Sequence, residues 1–483
     1  MIQNYHCHKS YSNILVADCP ASYDDYFKRV VELGHNVISS VEHGYQSNYY
    51  IPYEIVNNYN DKLKKQVEEG TLSGSEYNRK KLKFIFGAEA YWVKDRLAEY
   101  SKIDKKTGKI VSAKDRTNCH IILLAKNEEG RQDINEVLSI ANIDGFYGQP
   151  RIDIDLLLKI KPENVLVTTA CLKYWVYEDI DEITKTLHNH FKENFFLEIQ
   201  YHNTDLQKKI NRHILELSEE LGIKLIFGYD SHYIYPDDSV ERDNYLEARG
   251  ITYDEDEIGW YMDYPDESEV RRRLREQGVL NEEQINECIN NTNLLLDFDD
   301  IVLDKRIKLP RNYKFNGEWV GDKSQEWRDN KLRELVYSKW NDIKHTISPD
   351  RYEEYEKGIE YELDAIIGTK MSDYFLIDYE LVRIGTSNGG VITKTGRGSG
   401  VSYYINSLLG FSNIDRFISP VTLYPDRFIS KTRILKTRSL PDLDLNLGTV
   451  DIFAKAQLEV MGEGHAYPMI SYKPLKTSSA FKL

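Results

Sequence analysis

No apolar run in this 483-residue sequence approaches the ~20 residues that a membrane-spanning helix requires. The opening stretch MIQNYHCHKS has no charged segment leading into an apolar one, which argues against a secretory leader. Cysteine is scarce. The five present, Cys7, Cys19, Cys119, Cys171 and Cys288, are odd in number and nowhere spaced CxxC. That pattern argues against a disulfide framework and for a reducing, cytoplasmic setting. A basic excess is also missing: the formal net charge of −15 is the reverse of the footprint of a general nucleic-acid binder. There is no fixed-period repeat and no low-complexity tail.

What is present reads as a globular chain, 41% hydrophobic and 29% charged, long enough for two or three domains. Over the first 235 residues, β-rich runs alternate with helix-compatible stretches. The runs are HNVISSV (35–41), KFIFGAEAYWV (83–93), CHIILLAK (119–126), ENVLVTTAC (163–171), NFFLEIQ (194–200) and IKLIFGYDSHY (223–233). Helices are expected over 22–34 and 203–222, each closed by glycine. Such alternation predicts an α/β fold with a parallel sheet or barrel. From about 236 the composition turns helical and charged, and 301–319 reads as a connector. A new helix is expected from Ser348, with Pro349 at its first position.

Metal-ligand residue types sit at the ends of the β runs. His6 and His8 share a face if YHCH is extended, and Asp230 and His232 form a second alternate pair in YDSHY. His43 follows the second run, Glu89 lies in the third, His120 opens the next and Cys171 closes the one after; Asp18 is a further candidate in the loop behind His8. Five of the twelve histidines fall in this pattern. In a barrel, groups near one rim converge on one site. A mixed His/Asp/Glu set with one thiol suits Zn²⁺, Mn²⁺ or Fe, which can activate water and clamp a phosphodiester.

A second constellation lies near the C-terminal end. TKTGRGSGVSYYINSLLG (393–410) places a glycine-rich turn before an apolar run, so that backbone N–H groups, Arg397 and Ser399 can approach a phosphate around Gly396, Gly398 and Gly400. LYPDRFIS (423–430) and a basic run with Lys431, Arg433, Lys436 and Arg438 then lead into LPDLDLN (440–446). On a strand, Asp442 and Asp444 would present both carboxylates to one face, as hard divalent cations require.

In order, the HxH start, EHG, FGAEAYWV, HIILLAKNEEG, TTACL and YDSHY resemble the polymerase-and-histidinol-phosphatase (PHP) domain, in the version found at the N-terminus of bacterial replicative DNA polymerase III alpha subunits. GFYGQPRID (145–153) and FLEIQYH (196–202) fit that narrower match. EYELDAIIGTKMSDYFLIDYELV (360–382), GRGSG, NIDRF (413–417), LYPDRF and LPDLDLN then follow in the order of the family's palm. The resemblance implies a PHP-type distorted β/α barrel followed by a partial polymerase-beta-like nucleotidyltransferase palm. It implies nine barrel ligands, His6, His8, Asp18, His43, Glu89, His120, Cys171, Asp230 and His232. It further implies Asp442 and Asp444 as palm metal ligands for Mg²⁺, with Arg397, Gly398 and Ser399 on the nucleotide phosphates. Three departures stand out: Glu42 replaces the family's Asp before the second-motif histidine, Asp18 lies farther from His8 than its counterpart, and Asn446 replaces an acidic residue.

The expected division is 1–240 PHP phosphoesterase domain, 241–325 helical extension and connector, 326–455 partial palm and 456–483 start of a thumb. The family's third aspartate follows a thumb insertion. Only Asp451, Glu459 and Glu463 are acidic after Asp444, and none lies in a matching motif. The resemblance therefore implies a polymerase segment that extends a primer on a primer–template with dNTPs when a second polypeptide supplies thumb, fingers and third aspartate. Other replisome proteins would be its partners, with no membrane, in the cytoplasm of a bacterium or a phage-infected host. A split gene in a phage, or one interrupted by an intron or intein, would give such a chain. The alternatives are a stand-alone PHP phosphoesterase acting as a 3′–5′ exonuclease and a non-catalytic replication scaffold.

Overall fold

The computed structural model describes residues 1–13, 18–46, 49–103, 108–117, 119–251, 259–304, 306, 308–393, 396–437 and 440–467. Arg438 and most of the thumb-like segment from 468 lie outside them. The chain divides into two compact units, Met1–Val302 and Leu303–Leu483. Among the described residues, no helix is long and apolar enough to cross a membrane.

The first unit is built on short strands: β1 (Val37–Ser39), β2 (Lys83–Ile85), β3 (Gly87–Val93), β4 (Glu99–Ile103), β5 (Ile110–Lys114), β6 (Cys119–Ala125), β7 (Ile152–Asp153), β8 (Val165–Thr168), β9 (Phe195–Ile199) and β10 (Leu225–Phe227). Six of them form one sheet in the order β10-β9-β8-β6-β3-β7, and β1 pairs with β2. Single backbone bridges continue the wall: His43 with Glu89 beyond β1, and Cys7 with Ser231 beyond β10. The outcome is a distorted β/α barrel. All seven residues of β3 and of β6 are buried, which is why these runs read as continuously apolar rather than alternating. Val37, Ile85, Ile122, Leu124, Leu166, Phe196 and Ile226 fill its interior.

The parallel arrangement expected from the sequence holds for β1–β2, β3–β7, β8–β9 and β9–β10, but β6 runs antiparallel to both β3 and β8. The reason is the connection. β3 is joined to β6 through the β4–β5 hairpin and not through a crossover helix, so the chain returns at the end where it left. The reversal puts the first residues of β6 on the rim where its neighbours finish.

The helices behave as their caps dictate. Tyr23–Leu33 opens on a Ser22/Asp25 capping box and closes at Gly34, φ +71°. Asp205–Leu221 opens on Thr204 and closes at Gly222, φ +68°. Helices Glu267–Gln277 and Glu282–Asn291 belong to this same unit.

In the second unit, helices Gln325–Ile343, Tyr352–Gly368 and Ser372–Ser387 surround a core of Leu332, Val336, Trp340, Tyr355, Ile359, Leu363 and Phe375. Trp340 stacks on Tyr355 at 5.5 Å between ring centroids. Ser348 and Pro349 start a 3₁₀ turn, Pro349–Arg351, and the α-helix proper begins at Tyr352; the Ser348 hydroxyl bonds to Asp350 and does not cap. Among the described residues this unit also has two small sheets: β11 (Lys314–Phe315) with β12 (Glu318–Trp319), and β13 (Ile392–Thr393) with β14 (Asn446–Leu447).

Candidate metal centre and palm segment

All nine residues expected at the barrel rim meet. The N-terminal segment, which bridges Ser231 through Cys7, holds His6 and His8 side by side, their rings 5.2 Å apart. The His8 ring stacks on His43 at 3.9 Å. Glu89 in β3 sits at the centre: one oxygen is 2.8 Å from His120 Nδ1, the other 3.2 Å from Nε2 of both His8 and His43. Asp230 Oδ1 lies 3.1 Å from His6 Nε2 and 3.4 Å from His8 Nε2. Cys171 Sγ is 3.4 Å from His120 Nδ1, and His232 Nε2 is 3.5 Å from Asp18 Oδ2. These atoms form overlapping groups close enough to share an ion: His8/His43/His232, His6/His8/Glu89, Glu89/His120/Cys171 and Asp18/Cys19/His232.

Local backbone aims the ligands. β10 ends at Phe227, so YDSHY is not extended; Asp230 has φ +49° and Ala170, just before Cys171, φ +48°. Left-handed backbone costs a residue such as alanine about 1–2 kcal/mol and aspartate less, because its short polar side chain can hydrogen-bond locally.

The electrostatics are those of carboxylates enclosed by imidazoles. Burial opposes ionisation of Glu89, but His120, His8 and His43 outweigh it and hold its carboxyl well below the usual range. Burial likewise opposes Asp230, and His6, His8 and His232 outweigh it, with the same result. Burial would lower His43, yet the hydrogen bond and charge of Glu89, with Asp18 and Asp230, raise it to about 9. His232 is pushed down to about 4 by burial, which Asp18 only partly offsets. Burial, then Glu89 and Asp230, push the Cys171 thiol up.

His6 Nε2, His8 Nε2, Glu89 Oε2 and His120 Nε2 are buried without a hydrogen bond. Orphaned buried donors and acceptors are costly unless something else satisfies them, and a cation does. The donor set, imidazole and carboxylate with one thiol, therefore fits a metal centre.

Three residues around the centre escaped the sequence reading. Glu198 contacts His6 Nδ1, and Cys19 lies beside Asp18 and His232. Ser12 Oγ bonds His8 Nδ1, the His43 N–H and Glu42, whose other oxygen accepts from the Tyr23 hydroxyl. Glu42, where the family has Asp, thus acts through Ser12 and is not itself in the cluster. Serine in a 3₁₀ turn and glutamate in an apolar run carry no pattern that marks them.

In the second unit, LPDLDLN is irregular through Leu445, and β14 begins only at Asn446. The alternation still operates: Leu443 and Leu445 pack on the core, so Asp442 and Asp444 turn away from it. The Tyr374 hydroxyl pins the segment, donating to the Pro441 carbonyl at 3.1 Å and accepting from the Leu443 N–H at 3.2 Å. The glycine-rich turn lies directly against Asp444. Gly398 has φ +66°, and a Cβ there would stand 2.3 Å from Asp444 Oδ2. Arg397 Nε is 3.6 Å from the same oxygen. Ser399 precedes a 3₁₀ turn, Gly400–Ser402, and helix Tyr404–Leu408 is capped by Glu362, which accepts from the N–H groups of Tyr404 and Ile405. The basic run forms a helix, Lys431–Thr437, in which Lys431 pairs with Asp364 and Arg433 bonds the Phe428 carbonyl.

Comparison with known proteins bears on both halves. Residues 4–202 match the model of the PHP domain, and residues 330–481 match that of the bacterial DNA polymerase III alpha NTPase domain. Over most of its length the chain is thus similar to the bacterial DNA polymerase III alpha family. Among curated relatives, the DNA polymerase III subunit alpha of Campylobacter jejuni is 26% identical over 401 residues, covering 76% of this chain and 31% of that protein. The subunit of Borreliella burgdorferi is 27% identical, covering 86% and 35%; that of Aquifex aeolicus is 25% identical, covering 91% and 36%. The chain thus spans about a third of the length of the polymerase III alpha relatives it matches. Both domain types of the family imply the use of divalent metal.

Proposed function

We propose that this chain is the PHP and palm segment of a replicative polymerase that adds dNTPs to a primer 3′ end once a further polypeptide supplies thumb, fingers and a third catalytic aspartate. The observation that carries this reading is the contact of Gly398 with Asp444, which joins a phosphate-binding turn to a metal-binding carboxylate in one unit. In this reading residues 1–240 are the phosphoesterase domain, 241–325 a helical extension and connector, 326–455 the palm and 456 onward the start of the thumb. Asp442 and Asp444 hold Mg²⁺; Arg397, Gly398 and Ser399 orient the triphosphate. Divalent ions there would supply Lewis-acid stabilisation of charge on the attacking and leaving oxygens. The chain would work in the cytoplasm of a bacterial or phage-infected cell, with other replisome proteins and away from membranes.

The barrel favours a second activity within the same protein, metal-dependent 3′–5′ hydrolysis of a phosphodiester. Nine convergent ligands with orphaned nitrogens support it, and no residue of the second unit is needed to complete the set. His6, His8, Asp18, His43, Glu89, His120, Cys171, Asp230 and His232 would hold Zn²⁺, Mn²⁺ or Fe, which supply a water of lowered pKa when bound. The experiment is one labelled primer–template incubated with the chain, Mn²⁺ and dNTPs. Shortening from the 3′ end supports the barrel nuclease. Lengthening by this chain alone would refute the need for a completing polypeptide. No change, even after adding a polypeptide that carries the remaining polymerase regions, would refute both activities.

A further inference from the structure

Glu198, the penultimate residue of β9, is 1% exposed, and both its oxygens are fully engaged. Oε2 accepts from the Tyr5 hydroxyl and the Thr168 hydroxyl, each at 2.7 Å. Oε1 lies 2.5 Å from His6 Nδ1 and accepts from Gln200 Nε2 at 3.1 Å. Gln200 also reaches toward Asp230 Oδ2 at 3.5 Å. Four donors from four different residues converge on one buried carboxylate, an investment that packing alone does not require.

The geometry has a direct consequence for His6. With Nδ1–H donating to Glu198, the lone pair lies on Nε2, which is buried, without a hydrogen bond, and faces Asp230 and Glu89 at 3.1 and 3.6 Å. The space for this contact is reserved by Gly228, one residue beyond β10. A Cβ at 228 would stand 1.9 Å from Glu198 Oε1 and 2.2 Å from its Cδ. The backbone of Gly228 is not in the left-handed region, so that space, and not conformational freedom, is what glycine provides there.

We propose that Glu198 is a positioning residue of the barrel centre. It fixes the tautomer and ring orientation of His6 so that Nε2 is presented to a divalent cation, and Gly228 is the vacancy that lets it do so. This rests on the reading of the cluster as a metal centre. A carboxylate behind a ligating imidazole raises its basicity and holds its angle, and losing it weakens metal affinity by about 10- to 100-fold.

The test is a Mn²⁺ titration of the full chain stripped of metal, with free Mn²⁺ read by electron paramagnetic resonance. Glu198→Gln and Gly228→Ala should each weaken one ion of the set by about 10- to 100-fold and leave the others in place, with the circular dichroism of the parent. In the Co²⁺-loaded chain the same variants should alter the visible bands of one site only, which a general loosening of the barrel would not do. Binding by both variants as tight as the parent's would overturn the positioning role while leaving the metal reading intact. Absence of any binding by the parent would sink the metal reading and this proposal with it. For variants that fail to fold, ¹⁵N-histidine spectra of the unaltered chain decide: His6 should be protonated on Nδ1, with Nε2 shifting on addition of Zn²⁺, and an Nε2–H tautomer would overturn the proposal.

Discussion

Asp378 offers a sharp test of how this fold handles a half-buried charge. It lies on the helix Ser372–Ser387, one turn beyond Tyr374, and among the described residues no hydrogen bond or ion pair reaches its carboxylate. Burial alone raises its pKa from 3.8 to about 7. Between about pH 4 and pH 7, the folded chain therefore binds a proton that the unfolded chain does not. Stability falls as pH rises through that window and levels off above it. At about 1.4 kcal/mol per pH unit, the full displacement corresponds to about 4 kcal/mol. Because the side chain is only half-buried, solvent screens part of this, and about 2 kcal/mol is the expected penalty at pH 8. Asp378→Asn removes it. Hydrogen exchange of peptides from 372–387, variant against parent at equal pH, should be about 30-fold slower at pH 8 and unchanged near pH 4. Equal protection at pH 8, or a gain of the same size at both pH values, would refute the reasoning.

His8→Ala with Asp230→Ala should abolish 3′–5′ hydrolysis, and undiminished degradation of a labelled strand would remove the barrel from consideration. Asp442→Ala with Asp444→Ala should leave hydrolysis intact and eliminate extension by a completed complex, read on the same gel. Gly398→Ala combines left-handed strain of about 1–2 kcal/mol with a clash at Asp444; Mg²⁺ affinity of the second unit should drop while Mn²⁺ binding by the barrel is unaffected, both measured by calorimetry. Loading the barrel with Mn²⁺ at 100 times its dissociation constant should stabilise the first unit by about 2.7 kcal/mol, reversed by chelator and visible as a rise in its melting transition.

Much of the barrel could be read from the sequence because its strands are buried on both faces. FGAEAYWV and HIILLA announce themselves as apolar runs, and Glu89 and His120 stand out as polar interruptions of them. Strand direction could not be read, since period and composition are the same whichever way a strand runs; only the β4–β5 connection reveals that β6 reverses. Asp442 and Asp444 share a face as their spacing predicts, with Leu443 and Leu445 on the core, although the segment is not a strand. Glu198 was not recognisable, because a glutamate within FFLEI looks like the polar residue of any half-exposed strand, and only its contacts mark it as buried. Asp18, displaced along the chain, still lies 3.5 Å from His232 Nε2.

The reversal of β6 bears on how this barrel can change over time. Val93 ends β3 and Cys119 begins β6 in register with Trp92, so the chain departs from the barrel and rejoins it beside His120. The β4–β5 hairpin is thus an insertion between two paired strand ends, one of which carries His120, and both of those ends stay in the wall. An excursion tethered in that way can lengthen, shorten or exchange its tip without shifting a ligand. It is a place where evolution, or an engineer, can reshape what enters the site while the chemistry beneath it stays the same.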